Sequence, residues 1–113
     1  MTVARPPCTA VVFSSQRSGT GHADEYEQTA RQMVEMAQQQ PGYLGVEGAC
    51  GADGFGVTVS YWETPRHAQA WKKVTEHVAA QHRGARDWYA DYTVRVATVE
   101  RQYGNHRNPG GLD

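Results

Sequence analysis

Trp71 and His82 stand eleven residues apart in a segment whose apolar residues recur with a helical period. Eleven steps of about 100° return to within about 20° of the start, so the two side chains share a helix face, roughly 16 Å apart along the axis. An indole can face a flat molecule, and an imidazole is a polar group that can move a proton. Packing by Trp71 and a helix-end role for His82, favourable to the dipole, account for the same two residues without chemistry. A second group lies on strand-like runs: Phe13, then Ser60, Tyr61 and Trp62, then Arg95 between Val94 and Val96. A pocket lined by Trp62, Trp71 and Phe13 suits a flat aromatic ligand, with Ser60, Arg95, Tyr61 or His82 supplying polar groups near its oxygen atoms. Spacing does not choose among those four. An inward Arg95 on a central strand needs a partner; an outward one is solvated.

Other chemistries find no support in the sequence. His77 and His82 are five apart rather than four and do not form a metal pair on one helix face. Cys8 and Cys50 form no Cys-x-x-Cys motif and are expected as reduced thiols. Gly19-Thr20-Gly21 lacks both the dinucleotide-binding glycine spacing and the lysine of a phosphate loop. Eleven basic residues against twelve acidic ones give a net charge of -1, without the excess cation that phosphate binding needs, so no nucleic-acid partner is expected. The longest apolar stretches, such as Ala10 to Phe13, are far short of the roughly 20 residues that span a membrane. Met1 to Pro7 is not followed by the apolar region of a secretion signal, and a cytoplasmic location is expected.

These residues must be positioned by six elements. Met1 to Pro7 reads as a loose arm, and Cys8 to Ser15 as a β-branched strand. Gln16 to Ala23 is a Gly/Ser/Thr-rich loop. Asp24 with Glu27 resembles a capping box, and Tyr26, Ala30, Met33, Val34 and Ala37 form one apolar stripe. Pro41-Gly42 ends that helix. Tyr43 to Cys50 is a glycine-containing strand near an edge or a close backbone approach, and Asp53-Gly54 marks a hairpin turn. Gly56 to Glu63 is the clearest strand: Val57, Val59 and Tyr61 point one way, Thr58, Ser60 and Trp62 the other. Thr64-Pro65 opens a second helix that runs to about Arg83, with Gly84 as its C-terminal cap. Ala68, Trp71, Val74, Thr75, Val78 and His82 share one of its faces. Asp87 to Ala90 adds a short turn, Tyr92 to Tyr103 is a long last strand, and the tail from about residue 104 is expected to be mobile.

The order β-α-β-β-α-β is the ferredoxin-like plan, an α+β fold with an antiparallel sheet and two helices on one of its faces. The 113 residues form one domain, with its core over about residues 8–103. Leu, Ile, Val and Phe number only 16 of 113, a share low enough to suggest disorder. The periodicity and the near-zero net charge point instead to a folded domain with a thin core. Such a domain gains from burying a second surface. The sheet face opposite the helices still carries apolar residues, so a homodimer packed sheet to sheet is expected, the last strand or its tail reaching the partner.

Gln40-Pro41-Gly42-Tyr43, Ser60-Tyr61-Trp62-Glu63-Thr64 and the helix from Ala68 through Trp71 to His82 resemble the antibiotic biosynthesis monooxygenase domain family, the dimeric α/β barrels, over about residues 8–103. The resemblance implies that fold and the homodimer. It also implies a choice of activities, because such a family contains cofactor-independent oxygenases of polyphenols or quinols, haem-degrading enzymes and silent members. In the oxygenases the protein removes or stabilises a proton, and O₂ attacks the resulting carbanion or enolate. By that resemblance His82 and Trp71 are the catalytic candidates, and Trp62, Trp71, Phe13, Ser60 and Arg95 the substrate-binding ones. The haem-degrading relatives place a Trp and a haem-ligating His on this helix with an interval one residue shorter, which falls between Gln81 and His82. They also use an Asn on the first strand, where Cys8 to Ser15 offers only Ser14 or Ser15. The expected activity is therefore a cofactor-independent oxidation of a small aromatic quinol or polyphenol by O₂. A non-catalytic small-molecule binder of the same fold and a haem-binding or haem-degrading enzyme are the alternatives.

Overall fold

A computed structural model of the chain describes residues 5–16, 23–81 and 91–104, with side-chain surroundings for 5–16, 31–77 and 91–104. The elements run β1 (Cys8–Gln16), α1 (Ala23–Gln38), β2 (Tyr43–Cys50), β3 (Phe55–Trp62), α2 (Pro65–Gln81) and β4 (Tyr92–Val99). The four strands form one antiparallel sheet in the order β2-β3-β1-β4, which is the expected ferredoxin-like arrangement.

Register decides which side chains meet the helices. Val11 lies opposite Ser60 on one side and Val96 on the other; Phe13 lies opposite Thr58 and Val94. Directly opposed residues share a face, so Val11, Phe13, Thr58, Ser60, Trp62 and Val94 all look toward the helices. Over them lies a small core of Val11, Ala37, Trp62, Ala68 and Trp71, with Met36, Tyr43, Val74 and Val94 packed around it. Trp62 is fully buried. One large indole thus does much of the filling that Leu and Ile do in richer cores.

Local chemistry sets the joints. Thr64 caps α2: its Oγ1 accepts the His67 backbone N–H at 3.2 Å, and its carbonyl accepts Ala68 N–H at 3.2 Å. Pro65, lacking an N–H, costs nothing at the first helical position. At the end of α1, Gln39 and Gln40 donate back to the carbonyls of Met36 and Ala37. Gly42 then turns the chain at φ +81°, and a Cβ there would overlap the His67 ring, so only glycine lets the first joint sit against the second. In the hairpin, Gly54 has φ +87° and Phe55 N–H donates to Asp53 Oδ1 at 3.0 Å.

Three expectations need correcting. β1 runs one residue further, because Gln16 pairs with Phe55 and its side-chain amide donates to the Asp53 carbonyl at 2.8 Å. β4 stops at Val99 rather than Tyr103. Its last partner is Cys8, and the residues before Cys8 are Pro6 and Pro7, which have no N–H to extend the ladder. Finally, β4 is an edge strand, so Arg95 does not sit on a central one. The Asp24–Glu27 cap, the Tyr26, Ala30 and Val78 side chains, Gly84 and the 87–90 turn lie outside what is described, as does the tail beyond 104. No helix among the described residues is long and apolar enough to cross a membrane.

Candidate functional site

A cavity of about 170 Å³ lies between the sheet and the two helices. The sheet contributes its floor: Val11 and Phe13 from β1, Thr58 and Ser60 from β3, Val46 from β2, and Tyr92 and Val94 from β4. Met33, Val34 and Ala37 form the α1 wall, and Trp71, Lys72, Thr75 and Glu76 the α2 wall. The lining is apolar apart from three hydroxyl side chains, the Tyr92 phenol and one charged pair. That composition fits a small organic ligand.

Three of the sequence candidates, Phe13, Ser60 and Trp71, line this one cavity. Trp71 is 7 % exposed, and its ring stacks on Trp62 with centroids 5.5 Å apart and planes 29° off parallel. Trp62 does not reach the cavity; it lies beneath Trp71, with Tyr43 edge-on behind it at 5.9 Å. Phe13 stacks on Tyr92 at 5.3 Å, and Tyr92 is half exposed, so this pair walls the open end. Ser60 is 4 % exposed and its Oγ accepts the Trp62 Nε1–H at 2.9 Å.

Arg95 is the candidate that the fold removes from the site. It is exposed and lies opposite Val12, on the sheet face turned away from the helices. The period-two alternation of a strand turns Val94 and Val96 inward and Arg95 outward. Tyr61 shares that outer face. Its hydroxyl donates to Glu47 Oε1 at 2.6 Å, and this bond, then partial burial, then the Glu47 charge push the phenol up to about 12. His82 lies outside the described residues.

Sequence reasoning missed the rim. Lys72 and Glu76 pair at 3.8 Å with both side chains more than half exposed, and Thr75 Oγ1 donates to the Lys72 carbonyl at 2.7 Å. A signal was present: positions flanking an apolar stripe border a void whenever a helix faces a cavity instead of a filled core. Met33 and Val34 were read as core stripe for the same reason, although they line empty space. Cys8 is buried, which raises its thiol pKa, and Cys50 is exposed; both are free. Among the described residues no group of three His, Cys, Asp or Glu side chains comes together to hold a metal ion.

Comparison with known proteins bears on this geometry. A family model described as "Antibiotic biosynthesis monooxygenase" matches residues 17–83. The uncharacterised protein YqjZ of Bacillus subtilis (strain 168) is 48 % identical over 97 residues, 86 % of this chain and 83 % of YqjZ. Among solved structures, SnoaB of Streptomyces nogalater, a cofactor-independent oxygenase, superposes with a TM-score of 0.62 at 13 % identity, over 87 % of this chain and 96 % of SnoaB. MhuD of Mycobacterium tuberculosis, a haem degrader solved with two haems in its active site, superposes with a TM-score of 0.60 at 20 % identity, over 84 % and 99 % of the two chains. At these identities the two structures speak for the fold alone.

Proposed function

This chain belongs to the antibiotic biosynthesis monooxygenase family, and we propose that it oxidises a small aromatic quinol or polyphenol with O₂ in the cavity between sheet and helices, without a cofactor, as a homodimer. The observation that carries the reading is the cavity itself: a slot of about 170 Å³ with a mainly apolar lining and the hydroxyl groups of Thr58, Ser60 and Tyr92 on its sheet side. An apolar cavity of about 150 Å³ admits a benzene-sized guest, so one aromatic ring is the matching scale. In such a reaction the substrate supplies all the electrons. One oxygen atom enters a ring carbon beside a phenol, the other leaves as water with two hydrogens, and the hydroquinone becomes a hydroxyquinone. The protein's part is to hold the ring, exclude water, and donate a hydrogen bond to the oxygen that carries negative charge as the proton leaves. Trp71 presents a face for the ring and Ser60 a hydroxyl for the oxygen.

Haem fits these residues poorly. The haem-degrading relatives use an Asn on the first strand, and no residue of β1 is an Asn. A non-catalytic binding role rests on a separate observation. Among the described lining residues the only charged groups, Lys72 and Glu76, are exposed at the rim and pair with each other, and the described floor carries no carboxylate to take a proton.

Oxygen uptake in the presence of a small hydroquinone tests the proposal. Uptake well above autoxidation, lost in Trp71→Ala, is the expected result. A rate no greater than that of heat-denatured protein removes the oxygenase reading. If a non-oxidisable aromatic still raises the melting temperature in that case, the binding role is what survives.

A further inference from the structure

Ser60 is the most deeply buried of the hydroxyl groups on the cavity wall, at 4 % exposure. Its one hydrogen bond among the described residues comes from Trp62. An indole N–H is a donor only, whereas a hydroxyl has one donor proton and two acceptor lone pairs. The 2.9 Å bond from Trp62 Nε1 therefore occupies a lone pair of Ser60 Oγ and cannot accept the Ser60 proton in return. On β3, Ser60 lies opposite Val11 and Val46, whose side chains carry no acceptor. Ser60 lines the cavity, so its proton is free to turn into it. Trp62 cannot swing away, because it is fully buried between Tyr43 and Trp71.

We propose that Ser60 is the orienting donor of this cavity, fixed in direction by Trp62, and that it selects ligands that carry an oxygen acceptor at the sheet-side end of the ring. The proposal deepens the reading above and rests on it: it assigns to one residue the discrimination between an oxygenated aromatic ring and a hydrocarbon of the same shape. A buried donor left without an acceptor is costly, so a hydrocarbon filling the cavity strands the Ser60 proton, while a ketone, quinone or phenolate oxygen satisfies it. Trp62 acts through Ser60 and is a positioning residue. Its bond takes one lone pair of the hydroxyl and leaves the proton for the ligand. Donation to a ligand in turn sharpens Ser60 as an acceptor, because hydrogen bonds in a chain polarise one another.

Two probes of one shape separate the possibilities: acetophenone, with a carbonyl oxygen, and α-methylstyrene, with a methylene in its place. Their dissociation constants are measured by tryptophan fluorescence on the intact chain, on Ser60→Ala, on Ser60→Thr and on Trp62→Phe. The expected result is a preference of about five- to tenfold for acetophenone in the unmodified protein. It is absent in Ser60→Ala, restored in Ser60→Thr and weakened in Trp62→Phe. The Trp62 indole N–H resonance, followed in ¹⁵N-labelled unmodified protein, moves downfield with acetophenone and not with α-methylstyrene. That readout stands even where a variant does not fold. Equal binding of the two probes, or a preference that persists in Ser60→Ala, overturns the role of Ser60 and leaves the cavity reading intact. Failure of both probes to bind overturns the cavity reading and this inference with it. An unmoved Trp62 resonance on acetophenone binding overturns the positioning role.

Discussion

Part of the sheet departs from the ordinary one-sided pattern, in which strands turn apolar residues to the helices and polar residues to water: its helix-covered face carries hydroxyls where its open face carries valines. β3 shows it most clearly. Thr58 and Ser60 point toward the helices, while Val57 and Val59 point away from them. Hydroxyls under the helices make room and donors for a guest; valines on the uncovered face ask for a second surface. Val12, Val57, Val59, Tyr61 and Val99 are all half-buried without any helix above them. The lesson is that a thin core here is not a deficit spread evenly through the domain. The chain spends its large residues at one end, where Tyr43, Trp62 and Trp71 stack. It leaves a void at the other end of the helix-covered face, and places Val12, Val57, Val59 and Val99 on the open face.

The sharpest way to test this division is to truncate the two stacked indoles separately. Trp62 is enclosed on every side, and Trp62→Ala is expected to cost about 3–5 kcal/mol, most of the stability of a domain this size. Trp71 already has empty space along one side, so part of its dispersion contact is absent in the native state. Trp71→Ala is expected to cost about 2 kcal/mol and to abolish aromatic binding. Urea unfolding of both variants decides the matter, and equal losses would mean that Trp71 is core and the void is not a working site.

The open face makes a prediction of its own. If its valines meet a second copy, light scattering at micromolar concentration gives twice the 12.5 kDa chain mass, and Val59→Lys returns it to the single-chain value without loss of helix signal. A single-chain mass for the unmodified protein would end the homodimer reading and leave the uncovered valines unexplained.

The smallest expected effect concerns Tyr61, on that same face. Its pKa is raised to about 12 from 10.0, first by donation to Glu47, so the folded state binds this proton more tightly than the unfolded one. The resulting stabilisation is complete below about pH 10 and fades as pH climbs toward 12. Urea midpoints taken from about pH 9 upward should fall more steeply for the natural chain than for Tyr61→Phe. Parallel curves would show that the phenol titrates alike in both states.

The sequence by itself determined the elements and their order. The helix stripes, the Thr64-Pro65 start, the Pro41-Gly42 stop and the alternation of Val57 to Trp62 are local consequences of side-chain period and backbone chemistry, and all reappear in the fold, the stripes in their described members from Met33 to Ala37 and from Ala68 to Thr75. Proximity in sequence also brought Trp62 near Trp71, across a single cap. Tertiary structure decided everything that depends on register and on packing between elements. The pairing of Val12 with Arg95 sent that guanidinium to the outer face, and no local signal states the phase of an edge strand. Two prolines before Cys8 cut β4 short from a distance of some ninety residues along the chain. Whether a helix stripe lies on a filled core or on a void is likewise invisible along the chain, because it depends on the volumes of residues contributed by every other element. That is why Met33, Val34 and the Lys72–Glu76 rim emerged only from the fold. The direction of the Ser60 proton is of the same kind, since it follows from an indole held in place by two other aromatic rings.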